Sequence, residues 1–180
     1  MAKYVAFLRA INVGGHVVKM DALKALFETL DFSNVETFIA SGNVIFETKT
    51  RDTAALEAKI ERALEKSLGY EVSTFLRTPA QITAITKYQP FEPSLMASAA
   101  AINVGMLKAP LCVATCEALA RLKTDIDDFH VNEAHLFWIC KMRQSESKIS
   151  NAVFERTLKV KATFRGLRTM ERLAAKYGSL

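Results

Sequence analysis

Cysteine, proline and glycine are all scarce in this chain, whose 180 residues hold 3, 4 and 7 of them. Cys112, Cys116 and Cys140 are too few and too unevenly spaced for a disulfide framework, which fits a reducing compartment and a cytoplasmic protein. So little glycine and proline excludes a fibrous or low-complexity chain. No apolar run is long enough to span a bilayer, because the longest uncharged stretch, Pro93 to Leu107, is interrupted by Ser94, Ser98, Asn103 and Gly105. The opening residues lack the cleavage pattern of a secretion signal, and Arg9 breaks their apolar run, so they read as a strand. Also missing are a phosphate loop, a nucleophile elbow, a dinucleotide fingerprint and a paired-histidine zinc helix. No catalytic residue, cofactor or metal is assigned on that basis, although triads assembled in space leave no such trace.

What is present is apolar: half the residues are hydrophobic, enough for one sizeable core or two modest ones. Charge is unevenly placed. Residues 1–80 carry 10 Lys/Arg against 10 Asp/Glu and residues 81–139 carry 4 against 6, whereas residues 140–180 carry 10 against 3. The basic C-terminal stretch is a solvated face or an attractor of phosphates and acidic partners.

Periodicity predicts a βαββαβ order twice. In the first pass Lys3 to Val13 reads as a strand closed by Gly14-Gly15, and Leu23, Leu26, Phe27 and Leu30 recur at helical spacing. Val35 to Ala40 and Val44 to Thr48 flank Ser41-Gly42-Asn43 as a hairpin. A helix from Asp52 or Thr53 buries Leu56, Ile60, Leu64 and Leu68 and stops at Gly69, and Glu71 to Arg77 completes the set. Thr78-Pro79-Ala80-Gln81 starts a connecting helix, and Gln89 to Ser98 reads as a boundary.

The second pass predicts strand Ala99 to Leu107, helix Thr115 to Lys123, and a hairpin of Asp127 to Val131 with His135 to Cys140 about Asn132-Glu133. Helix Asn151 to Leu158, strand Val160 to Phe164 and a last helix Thr169 to Tyr177 follow. The implied fold is α+β: two tandem ferredoxin-like modules with antiparallel sheets, plus a connecting helix and a C-terminal helix. Module boundaries fall at 1–78, 79–98 for the connecting helix and linker, and 99–180. Ala10-Ile11-Asn12-Val13-Gly14 recurs as Ala101-Ile102-Asn103-Val104-Gly105, each in the first strand of its module, as a duplication predicts.

In such a sheet the end of the first strand and the turn between the second and third share an edge. Asn12, Gly14, Gly15 and Lys19 therefore meet Ser41, Gly42 and Asn43, offering free backbone N–H groups and a cation to an anion, or simply tight turns. Arg165, Arg168 and Arg172 cluster at the start of the last helix, where cations oppose the helix dipole and an anionic partner explains them better than stability does. His130 and His135 would face each other across a turn at Asn132-Glu133, two ligands where zinc needs three or four. Asp125, Asp127 and Asp128 read as turn-solvating carboxylates. Phe7, Phe46, Phe75, Phe137 and Trp138 read as core, since no RNA-binding aromatic motif accompanies them.

Leu8-Arg9-Ala10-Ile11-Asn12-Val13-Gly14-Gly15, Lys19-Met20 and Phe38 to Phe46 together resemble a bacterial family of this length, domain of unknown function sixteen-ninety-seven. Arg77-Thr78, Pro90-Phe91, Ser147-Lys148 and Ala162 to Arg165 match its later landmarks more loosely. The resemblance implies a two-module α+β fold and no established activity, substrate or cofactor. The family usually has glycine where this chain has Ala10, and an Asn-Trp-Asn-like run where it has Gly166-Leu167-Arg168.

Two functions are open to such a chain. One is a non-enzymatic binding module for a phosphate-bearing ligand or nucleic acid, using the Gly14-Gly15 and Ser41 to Asn43 edge with the C-terminal arginines. The other is an enzyme acting on a small anionic metabolite between the modules, with Arg9, Asn12, Lys148 or Arg165 as electrostatic clamps. A protein that mediates only protein contacts is a third.

Overall fold

The computed structural model describes residues 1–12, 14–40 and 42–178. They form an α+β protein with two four-stranded antiparallel sheets. The chain divides into two compact units, Met1–Gln81 and a second that begins at Ile82. Among the described residues no helix is long and apolar enough to cross a membrane.

The first unit runs β1 (Ala2–Leu8), α1 (Met20–Glu28), β2 (Ser33–Thr37), β3 (Asn43–Thr48), α2 (Thr53–Leu68) and β4 (Thr74–Arg77). Its sheet order is β2-β3-β1-β4. Alternate residues of β1, Tyr4, Ala6 and Leu8, join Leu23 and Phe27 of α1 and Leu56, Ile60 and Leu64 of α2 in one core. Val5 and Phe7, on the other face of β1, are buried too, so the strand is apolar from Tyr4 to Leu8 rather than alternating. Truncating a ring such as Phe27 costs about 3–5 kcal/mol.

Helix α2 has the ends its sequence predicts: Asp52 accepts from the Ala55 N–H at 3.0 Å, and Gly69 closes the helix at φ 80°. One face of α2 protects the sheet edge. Glu61 accepts from the Thr74 N–H at 2.8 Å and Glu57 from the Leu76 N–H at 2.9 Å. Those are the amides that β4 does not give to β1, and occupying them blunts an edge strand.

After β4 come α3 (Pro79–Lys87) and α4 (Pro93–Ser98); the second lies where an irregular boundary is predicted, with Pro93 in its first turn. Thr78 and Gln81 cap α3 reciprocally, as expected. The second unit continues with β5 (Ala101–Met106), α5 (Val113–Ala120), β6 (Asp127–Asn132), β7 (His135–Cys140), α6 (Asn151–Leu158), β8 (Thr163–Gly166) and α7 (Leu167–Tyr177). Its sheet order is β6-β7-β5-β8. Trp138, Phe154, Leu136 and Leu158 anchor its core, and Glu155 of α6 accepts from the Ala162 N–H at 3.2 Å beside β8.

The structure departs from the sequence expectations at four further points. First, β1 ends at Leu8 rather than Val13, because Ala10 takes a left-handed φ of 55° that a strand does not accommodate; Val13 itself lies outside the described residues. Second, the repeated pentapeptide is not structurally equivalent: Ala10, Ile11, Asn12 and Gly14 of its first copy lie outside β1, whereas its second copy lies within β5. Third, the hairpin turns at Glu133-Ala134, with Glu133 at φ 51°, so His130 pairs with Phe137 and His135 with Asn132. His130 instead shares a 2.7 Å hydrogen bond with the Tyr88 hydroxyl. Fourth, Asp127 is no solvated turn residue. It is fully buried and accepts from Trp138 Nε1, the Thr124 hydroxyl and the Ser147 hydroxyl at 2.8–2.9 Å.

Candidate functional site

The edge predicted in the first unit exists. The Leu8 N–H donates to Gly42 O at 2.8 Å, and Asn12 ties the loop after β1 to the turn before β3: its Oδ1 accepts from the Val18 N–H at 2.7 Å and its Nδ2 donates to Ala40 O at 3.4 Å. Gly42 has φ 72°, and a Cβ there would stand 2.8 Å from Ile11 Cγ2, so the position demands glycine twice over. Buried Asn43 donates to Phe38 O at 3.0 Å. Ser41 lies outside the described residues. The Tyr70 hydroxyl reaches Ile11 O at 3.1 Å, and His16 stacks on the Tyr70 ring at 4.0 Å.

These polar side chains are engaged in holding the loops to each other. Gly14 and Gly15 are exposed at φ 69° and 87° with open space beside them, Lys19 is an exposed N-cap residue whose side chain makes no cap bond, and the Arg9 N–H donates to Ser73 O at 2.9 Å.

In the second unit the predicted cations do not converge. Lys148 is exposed and lines a depression with Thr124, Asp125 and Glu146. Arg165 sits on β8 opposite Val104, with Nη1 donating to Phe164 O at 2.8 Å and Thr163 Oγ1 at 2.9 Å. Burial pulls its guanidinium down to about 10. Gly166, the next residue, pairs with Asn103, so by strand alternation Arg165 faces away from the pocket that Gly166 lines. Arg168 is exposed on the first turn of α7.

Arg168 lines a pocket of about 470 Å³, with Asn103 of β5, Glu171 and the N-terminus of α7. Three features meet there. The N-cap residue Gly166 offers no side chain, so the first N–H groups of α7 have no cap. A Cβ at Gly166 would meet nothing within 4 Å, which leaves the space above those amides open. Asn103, only 9% exposed, lines the same space, and its Nδ2 has no hydrogen-bond partner. An unpaired buried amide costs about 1–3 kcal/mol, and helix amides, an amide donor and a guanidinium are the groups that hold an oxyanion. Sequence reading found Arg168 but missed Asn103 and Glu171. The signal for Asn103 was available: it is a polar residue inside a strand otherwise made of Ala101, Ile102, Val104, Gly105 and Met106.

Fold and site together define a two-unit α+β protein with an open polar pocket at the start of its last helix. The chain belongs to the family described as Protein of unknown function (DUF1697), whose profile matches residues 1–137. The match ends within β7, so Asn103 lies inside it and the α7 turn beyond it. No curated protein matches the chain. A conserved bacterial protein from Streptococcus pneumoniae is similar in structure, with a TM-score of 0.77 and 23% identity over 98% of each chain. That likeness supports the fold.

Proposed function

We propose that the protein is a binding module for a phosphate-bearing small molecule, held in the second unit between Asn103 and the N-terminus of α7. The observation that carries this reading is the unpartnered Asn103 Nδ2 beside an uncapped helix start. Arg168 adds support. It stands in the first turn of α7, where a cation opposes the helix dipole and destabilises the helix, typically by about 0.3–1 kcal/mol. A bound anion reverses that sign. The concave pocket favours a small ligand over a nucleic-acid strand, which would use an extended basic groove.

On the same reading each unit is a ferredoxin-like module, supported by the βαββαβ order and the antiparallel arrangement β2-β3-β1-β4, repeated as β6-β7-β5-β8. The unpaired thiols of Cys112, Cys116 and Cys140 support a cytoplasmic setting.

Calorimetric titration with inorganic phosphate tests the site. Gly166→Leu fills the pocket from a backbone at φ −59° that any residue adopts. Saturable binding to the native chain, lost in Gly166→Leu and kept in Lys19→Ala, is the expected result. Binding that survives Gly166→Leu and disappears in Lys19→Ala would move the site to the glycine edge of the first unit. No binding at low salt would remove the reading, and binding of oligonucleotides alone would replace it.

A further inference from the structure

The pocket at the start of α7 holds an acid as well as a base. Arg168 and Glu171 both line it, three residues apart, a rise of about 4.5 Å along the helix. Side chains at this spacing lie on one helix face and are placed to pair with each other. Here they do not: among the described residues neither side chain has a hydrogen bond or ion pair. Each is left facing the cavity without a partner.

A lone carboxylate beside an oxyanion pocket works against a bare phosphate, since like charges repel. It becomes favourable only when the ligand brings hydrogen-bond donors of its own. Hydroxyls fit better than an ammonium group, because the positive end of α7 that attracts the phosphate repels a cation placed next to it. Much of the rest of the lining is small and apolar, with Ala97, Ala100 and Leu167 giving a shelf that a ring can lie against.

Resting on the phosphate-binding reading above, we infer that the ligand is an organic phosphomonoester with neighbouring hydroxyls, a sugar phosphate or the sugar-phosphate end of a nucleotide. Glu171 accepts from the hydroxyls while Asn103, Arg168 and the α7 amides hold the phosphate. Glu171 is then the residue that selects a phosphorylated polyol over inorganic phosphate.

Titrations of the full chain with inorganic phosphate, ribose 5-phosphate and phosphoethanolamine test this selection. Ribose 5-phosphate is expected to bind the native protein at least about tenfold tighter than phosphate, the effect of one good hydrogen bond to a charged group. In Glu171→Ala that preference collapses toward unity, while inorganic phosphate binds slightly tighter because the repulsion is gone. Glu171→Gln, which keeps an acceptor oxygen, retains part of the preference. The inference is overturned if phosphate and ribose 5-phosphate bind the native protein equally, if Glu171→Ala leaves their ratio unchanged, or if phosphoethanolamine binds tightest. In those cases phosphate binding itself still stands. If none of the three binds, the underlying reading fails instead.

Discussion

Asn103 and Gly166 face each other across the β5–β8 pair and line one pocket, and the Asn103 Nδ2 makes no hydrogen bond. A strand position next to Trp138 is one where an apolar side chain would pack well. Retaining an amide there costs stability, which is the pattern of a residue kept for binding. Asn103→Leu, close in shape, should therefore raise the unfolding free energy by about 1 kcal/mol or more while abolishing phosphate binding. Chemical denaturation alongside a binding titration checks both. A variant that is less stable, or that still binds, contradicts the assignment.

Ala10 carries a left-handed φ of 55° and is exposed, so a glycine there relieves backbone strain of about 1–2 kcal/mol without losing packing. The looser unfolded chain offsets part of it. Ala10→Gly should raise the denaturation midpoint modestly. A lowered midpoint would show that the loop after β1 gains from alanine in a way its backbone does not reveal.

Glu57 and Glu61 hold the outward amides of β4. Removing either carboxylate leaves a buried N–H unpaired: Leu76 is 3% exposed and Thr74 is fully buried. Glu57→Ala and Glu61→Ala should each destabilise by about 1–3 kcal/mol and speed amide exchange at Leu76 and Thr74 respectively. The Gln variants, which keep an acceptor oxygen, should lose less. Equal loss in Ala and Gln would mean that charge rather than the edge bond matters.

The three thiols differ in environment. A hydrogen bond with the Thr115 hydroxyl at 3.1 Å is the first cause that draws the exposed Cys112 thiol below its usual range, with backbone amides adding to it. Burial pushes the Cys140 thiol up. A lowered value leaves more thiolate as pH falls, so iodoacetamide near neutral pH should label Cys112 well before Cys140. Thr115→Val should slow Cys112 and shift its labelling profile to higher pH. Peptide mapping reads both, and labelling of Cys140 first would contradict the assignment.

How much the sequence revealed varied with the residue. Asp52, Gly69 and the Thr78–Gln81 pair announced helix ends correctly because a capping side chain or a left-handed glycine is a local requirement. Ala10 and Glu133 give no signal: both adopt positive φ in residue types that carry no warning, which is why the predicted β1 is too long and the predicted hairpin pairs His130 two residues away from its observed partner. Strand ends were blurred for a further reason, since β1, β4 and β7 are buried along nearly their whole length, leaving no alternation to count. The Asn103 site stayed hidden because its parts come from β5 and α7, distant in sequence and brought together by the β5–β8 pairing.

Nuclear magnetic resonance of the isotopically labelled chain, titrated with inorganic phosphate, locates the anion site residue by residue. Saturable shifts are expected at the Leu167, Arg168 and Thr169 amides and at the Asn103 side-chain NH₂, with little change at Met20 and Asp21 at the start of α1. Shifts confined to α1 and the glycine loop, or no saturable shift anywhere, would contradict this placement.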